Sequence, residues 1–240
     1  MKRFIAKTLS RICSRLIYLL HNRNTISFDR LELQSLQFSF SQFGEDLAVC
    51  RLAQRFGLAT GIYVDAGAYH PVFGSNTLLL HKQGWSGVNI DLAPERIAVF
   101  NRYRPKDYNI VACLSDIGAK VEIAHYEIAS TDRVINSNNS EKLSIVGERP
   151  IRLSTATTTT LSEVIGQSPF RLEDVDYLNV DCEGIDLAVL RGLDFDRCRP
   201  RILSVEAFSD SDREAITELL GPQGYQVDVI IPPTIIFVRR

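Results

Sequence analysis

The chain lacks several features that would settle its class at once. It has no C-x-x-C pair: its five cysteines, Cys13, Cys50, Cys113, Cys182 and Cys198, are an odd and scattered set. That argues against a disulfide framework or a zinc site and fits a reducing compartment, the cytoplasm. The cysteines read as small buried hydrophobes, with Cys182 set apart by its place between Asp181 and Glu183. There is no Walker loop and no Gly-x-Gly-x-x-Gly turn, so a pyrophosphate lacks its usual cradle. Internal repeats and low-complexity blocks are absent as well. No apolar run approaches the roughly 20 residues that a membrane-spanning helix needs.

The small net charge of −2 conceals an asymmetry. Lys2, Arg3, Lys7, Arg11, Arg15 and Arg23 all precede the first acid, Asp29. Removing these six from 27 basic residues leaves 21 against 29 acids, a body of about −8. Such a body does not suggest a nucleic-acid partner. Within residues 1–24, Ile5, Leu9, Ile12, Leu16 and Leu19 recur at helical spacing, with Lys7, Arg11 and Arg15 on the opposite face. This segment reads as a basic amphipathic helix, too short in its apolar centre for a signal peptide. It suits peripheral contact with the inner face of an anionic membrane. A helix packed on its own domain or on a partner subunit, or a transit peptide, gives the same pattern. Residues 1–35 are accordingly set apart from a second domain over 36–240.

From residue 41 onward, strand and helix patterns alternate. "SQFGEDLAVCRLAQRFG" is a helix, with Ser41 as N-cap and Gly57 as stop. "GIYVDAG", "SGVNID", "YNIVACLS", "VDYLNVDCEG" and "RPRILSVEAF" are strands. Helical stretches follow at about 75–82, "APERIAVFNRYR", "GIDLAVLRGL" and "SDREAITELLGPQG". "YQVDVIIPPTIIFVRR" closes the chain as two strands around Pro232-Pro233. This order predicts a mostly parallel sheet with helices on both faces. Around 121–160 the pattern changes to a β-rich insertion, read as a lid or substrate loop.

Five of these strands end on acid: Asp65, Asp91, the Ser115-Asp116 pair, Asp181 with Glu183, and Glu206. In open α/β sheets the ligand lies beyond the carboxyl ends of the strands, where strand order switches. Acids there repel phosphate. They suit a ligand with hydroxyls and a positive centre: ribose hydroxyls at Asp91, a cation near Asp65 and an amino group at Asp116. That description fits S-adenosylmethionine.

The blocks "SQFGEDLAV", "YVDAGAYHPVFGSNTLLL", "GWSGVNIDLAPE", "YLNVDCEGIDLAVLRGLDF" and "RPRILSVEAF", in that order over about 41–208, resemble the FkbM family of S-adenosylmethionine-dependent methyltransferases. The resemblance implies an α/β class I methyltransferase (Rossmann-like) fold, a mostly parallel seven-stranded sheet with a reversed last strand. It implies that Asp65 and Gly67 lie on the methionine side of the cofactor, Asp91 at the ribose and Asp116 on the adenine side. Two positions depart from the family pattern: Asn179 stands where lysine is common, and Asp186 where glutamate is common.

The expected reaction is methyl transfer to a hydroxyl of a sugar, glycan or related small molecule. Such a hydroxyl must lose its proton, and Asp181, Glu183 and His70 are the candidate bases. His70 reads first as a satisfied loop histidine, and either acid can instead be a helix cap. Asp181 and Glu183 can hold Mg²⁺ with a third oxygen ligand, but no third ligand is evident, so no metal is assigned. A non-catalytic membrane-associated scaffold of the same fold is the alternative, and a nicotinamide-dependent oxidoreductase a weaker one. The sequence is silent on oligomeric state.

Overall fold

The computed structural model describes residues 29–125, 133–135 and 151–239. The basic segment 1–24 lies outside the described residues. The chain divides into two units, residues 1–38 and 39–240. In the first, α1 (Arg30–Ser35) starts at Asp29, whose carboxylate accepts from the backbone N–H groups of Leu31 and Glu32, while Glu32 returns the contact to the Asp29 N–H.

The second unit opens with α2 (Glu45–Arg55). Its N-cap is Gly44, in the left-handed region at φ 95°, and not Ser41 as the sequence pattern suggests. Ser41 contributes one step further out: its hydroxyl accepts from the Gly44 and Asp46 N–H groups. Asp46 is fully buried and accepts from Ser39 Oγ, Ser41 Oγ and the Phe40 N–H. These first-turn acids favour the helix dipole, and they also tether the segment that carries Gln42 and Phe43.

The chain then runs β1 (Ile62–Ala66), α3 (Leu78–Lys82), β2 (Ser86–Asp91), α4 (Pro94–Tyr103) and β3 (Tyr108–Val111). It continues through β4 (Cys113–Leu114), β5 (Lys120–His125), β6 (Arg133–Ile135), β7 (Arg152–Thr159), α5 (Leu161–Gln167) and β8 (Val175–Val180). The last elements are α6 (Asp186–Arg191), β9 (Ile202–Glu206), α7 (Asp210–Leu220), β10 (Tyr225–Ile231) and β11 (Thr234–Arg239). The main sheet has seven strands in the order β10-β11-β9-β8-β1-β2-β3. β11 is antiparallel to both neighbours, whereas β9, β8, β1, β2 and β3 pair in parallel. This is the class I methyltransferase arrangement with its reversed last strand. The order reverses at β1, which places a crevice over the ends of β1 and β8.

The central strands are apolar on both faces, as a sheet covered on both sides requires. Val64, Ala66, Ile90, Leu178, Val180 and Leu203 pack beneath α5, α6 and α7. On the other face Tyr63, Tyr177 and Ile202 meet Val49 and Ala53 of α2, Leu80 of α3 and Trp85. Each fully buried large side chain contributes about 1.5–3 kcal/mol.

The expected third strand is divided at Ala112. Residues Tyr108–Val111 stay in the main sheet as β3. Cys113–Leu114 instead pair in parallel with β7, in a second sheet ordered β4-β7-β5-β6. Thr160 then caps α5 through a box with Glu163.

Candidate active site

On the face covered by α2 and α3, one residue from each of five adjacent strands is polar instead of apolar. Asn109, Asn89, Asp65, Asn179 and Ser204 stand side by side in register across β3, β2, β1, β8 and β9. Asn89 Nδ2 donates to Asn109 Oδ1 at 2.8 Å, Asn179 Nδ2 to Asp65 Oδ1 at 2.9 Å and Ser204 Oγ to Asn179 Oδ1 at 2.8 Å. A buried polar row is stable when its members satisfy one another. It forms the base on which the crevice stands.

Asp65 is only 2% exposed, and its second oxygen accepts from Thr77 Oγ1 at 2.7 Å. Burial pushes its pKa up, opposed by these two hydrogen bonds. Its first duty is therefore to bind β1 to β8 and to the Ser75-Asn76-Thr77 turn. Arg104, 1% exposed, reinforces that turn: its guanidinium donates to Thr77 Oγ1, Ser75 Oγ and the Pro71 carbonyl.

Gly67 has φ 81°, and a Cβ there would overlap the main-chain carbonyl of Asp181. Glycine is required on both counts. Beyond it, Tyr69 takes φ 52°, and its N–H donates to Asp91 Oδ2 at 2.9 Å. Asp91 Oδ1 accepts from the Ala93 N–H at 2.8 Å, and Arg96 reaches both carboxylate oxygens, at 3.2 and 3.3 Å. The Arg96 guanidinium also lies over the Tyr69 ring, 5.2 Å from its centre.

At the end of β8, Asp186 clamps the Asp181-Cys182-Glu183-Gly184 turn. Its two oxygens accept from the Cys182 N–H at 2.7 Å and the Gly184 N–H at 3.0 Å. The turn holds Glu183 at φ 56°. Among the described residues the two non-glycine positions with positive φ are Tyr69 and Glu183, and both line the same cavity. Backbone held in this region costs on the order of 1–3 kcal/mol and gathers at functional sites.

That cavity is ≈ 640 Å³, within the roughly 300–1,000 Å³ of small-molecule sites. Asp65, Gly67, Asp91, Asp181 and Glu183 all line it. Two residues do not join them. Asp116 is exposed and accepts from Ser115 Oγ; because the third strand divides at Ala112, the main sheet does not carry it to the crevice. His70 lies outside the lining, and its Nδ1 accepts from the N–H groups of Val72 and Phe73. Burial, with Arg104 nearby, lowers its pKa. It organises the loop after β1.

The sequence reading passed over Asn76, Asn179 and Arg96 as site residues and gave Glu206, one of the acids expected at the crevice, no role of its own, although all four line the cavity. Cys182 also lines it, with its thiol pushed well up by burial and then by Asp186, so it is no thiolate nucleophile. Among the described residues no group of three or more His, Cys, Asp or Glu side chains is arranged to hold a metal ion. Nor is any described helix long and apolar enough to cross a membrane.

S-adenosylmethionine is the expected cofactor, and the cavity fits it. The close approach at Gly67 and the apolar wall of Leu92, Ala112 and Leu114 suit its backbone-bound and aromatic parts. Two buried acceptors that line the cavity, Asn76 Oδ1 and Glu206 Oε2, have no hydrogen-bond partner among the described residues.

Residues 65–227, about two thirds of the chain, match the family described as the FkbM methyltransferase domain. No curated protein matches the chain. A TehB-like SAM-dependent methyltransferase from Corynebacterium glutamicum is similar in structure at 14% identity, over 96% of this chain and 97% of that one, with a TM-score of 0.41. A putative S-adenosyl-L-methionine-dependent methyltransferase from Methanococcus maripaludis is similar at 10% identity, over 86% and 96%, with a TM-score of 0.42. A ribosomal protein L11 methylase from Lactobacillus delbrueckii subsp. bulgaricus follows at 12% identity, over 82% and 79%, with a TM-score of 0.40.

Proposed function

The chain belongs to the FkbM family of methyltransferases, and on that footing we propose that it methylates a hydroxyl group on a sugar, glycan or related small molecule. The observation that carries this reading is the composition of the cavity and its rim. Carboxyl groups of Asp181, Glu183 and Glu206 line it beside Phe43, Tyr69 and Phe208, whose rings are more than a third exposed. A sugar offers hydroxyl donors for carboxylates and apolar C–H faces for aromatic rings.

When bound, S-adenosylmethionine supplies an electrophilic methyl group on a sulfonium centre. The chain's own part is to hold the donor, orient the acceptor and take its proton. In this reading the Asp65–Gly67 loop and Asn76 hold the methionine side and Asp91 the ribose, while Leu92, Ala112 and Leu114 flank the adenine. Asp181 and Glu183 face the acceptor. The basic residues of segment 1–24 serve to keep the enzyme at an anionic membrane surface.

A transfer assay with labelled methyl donor across glycan extracts, followed by mapping of the labelled atom, tests the proposal. Label on oxygen of a saccharide supports it. Label on nitrogen, or on protein alone, overturns it.

A further inference from the structure

Glu206 ends β9, and Asp181 follows the end of β8; the two strands pair in parallel with Val180 opposite Val205. The two carboxyl groups therefore leave adjacent strands side by side, where one of them, once protonated, can donate to the other. Two carboxyl groups in such contact need a proton between them, so the pair behaves as one monoanionic unit. Glu206 is 9% exposed and lines the cavity, and its Oε2 has no hydrogen-bond partner among the described residues. A buried carboxyl oxygen without a donor is costly to leave so. A proton shared with Asp181, or an O–H or N–H brought by a ligand, relieves that cost.

We propose that Glu206 is a catalytic residue: its carboxyl group accepts the hydrogen bond of the acceptor group, and the Asp181–Glu206 pair takes the acceptor's proton as the methyl is transferred. This rests on the reading of a hydroxyl acceptor given above. The balance is complete within the site. The hydroxyl oxygen forms its bond to the methyl carbon with its own electron pair, and the C–S bond breaks to leave a neutral thioether. The hydroxyl proton passes to the carboxyl pair, which goes from monoanion to neutral. The positive charge lost from sulfur is thus matched by the negative charge lost from the pair. Asp65, Glu183 and Asp186 surround the pair with further acid. Burial comes first and these charges second in pushing both carboxyls up, which keeps a proton available to be held there.

The test does not need the natural acceptor. Calorimetry compares S-adenosylhomocysteine with sinefungin, the analogue that carries a C–NH₃⁺ group where S-adenosylmethionine carries its methylated sulfonium. If Glu206 and Asp181 face the transferred methyl, the wild-type protein binds sinefungin about ten- to a hundredfold more tightly, the range of a hydrogen bond to a charged group. Glu206→Gln then loses most of that preference and keeps its affinity for S-adenosylhomocysteine. Equal binding of the two ligands by the wild type, or an undiminished preference in Glu206→Gln, overturns the assignment. The wild-type ratio stands without any variant, and Asp181→Asn supplies a second one should Glu206→Gln fold poorly. Binding of neither ligand removes the cofactor on which the proposal depends. Tight binding of both analogues with label mapped to nitrogen overturns the hydroxyl reading alone.

Discussion

Gly67 lies directly against the main-chain carbonyl of Asp181. The loop after β1 and the turn after β8 are thereby held at backbone contact, at the point where the strand order reverses. Gly67→Ala meets both a left-handed φ and a steric overlap. The expected outcome is a loss of about 1–3 kcal/mol in urea unfolding, with donor binding weakened at least about tenfold because the two walls of the crevice move apart. Native donor affinity in the variant counts against this arrangement.

Asp91 holds the Tyr69 N–H, the Ala93 N–H and Arg96 together. Asp91→Asn keeps the shape and removes the charge. S-adenosylmethionine affinity should fall by on the order of 1.5–3 kcal/mol, the range for a hydrogen bond to a charged group. Unchanged affinity in a folded variant assigns Asp91 to the loop and Arg96 alone, and removes it from the ribose.

Much of this architecture was legible in the chain because it follows from periodicity. Apolar strands ending on Asp65, Asp91, Asp181 and Glu206 announce a parallel sheet with acid at its mouth, and the block order gives the family. What escaped is set by tertiary pairing. Nothing in "YNIVACLS" says that Cys113 and Leu114 leave the sheet to pair with residues 158 and 159. Asp116 was therefore grouped with acids that it does not join. The polar row was invisible for the same reason: Asn89, Asn179 and Ser204 look like weak strand residues until register aligns them. One signal was available. Asparagine inside three strands, at Asn89, Asn109 and Asn179, is an unfavourable choice unless each meets a polar partner across the sheet.

The acid cluster also sets a direction for stability with pH. Burial raises Asp65, Asp91, Asp181, Asp186 and Glu206 above ordinary carboxylates, Asp186 to about 6 and Asp181 to about 7. The folded chain then holds more protons than the unfolded one from roughly pH 4, where free carboxyls titrate. Stability from these groups is complete below that point and is lost as pH rises through their folded values. His70 and His81 are shifted down, and so oppose this only below roughly pH 6.5. The melting temperature of the ligand-free protein should therefore fall between pH 6.5 and 8. Asp181→Asn should flatten that fall and raise the melting temperature at pH 8, while turnover drops by about 10²–10⁴-fold. A melting temperature that rises with pH over this interval contradicts the scheme.

Deleting residues 1–24 removes all six basic residues that precede Asp29. Binding to vesicles that contain anionic lipid should be lost and should weaken with salt in the intact chain. Donor affinity should be unaffected, because the cavity draws its lining from residue 42 onward. Equal sedimentation of the full and shortened chains with vesicles refutes a membrane role for the segment.

Arg104 gives the most direct test of how the fold prepares the site. Its guanidinium holds Thr77, Ser75 and the Pro71 carbonyl, and Thr77 in turn donates to Asp65. A lysine keeps the charge but not the planar fork, so it cannot serve these three acceptors in the same geometry. Arg104→Lys should cost about 1–3 kcal/mol of stability through the acceptors left unserved in a buried setting. Were the role structural alone, donor affinity would survive once the variant is folded. If Arg104 instead positions Asp65 and Asn76 for the methionine side, the KM for S-adenosylmethionine should rise several-fold while kcat with saturating donor stays close to wild type. The split between KM and kcat, measured below the variant's melting temperature, decides between the two. A fall in kcat at unchanged KM would place the effect on the acceptor side and contradict the chain of contacts from Arg104 to Asp65.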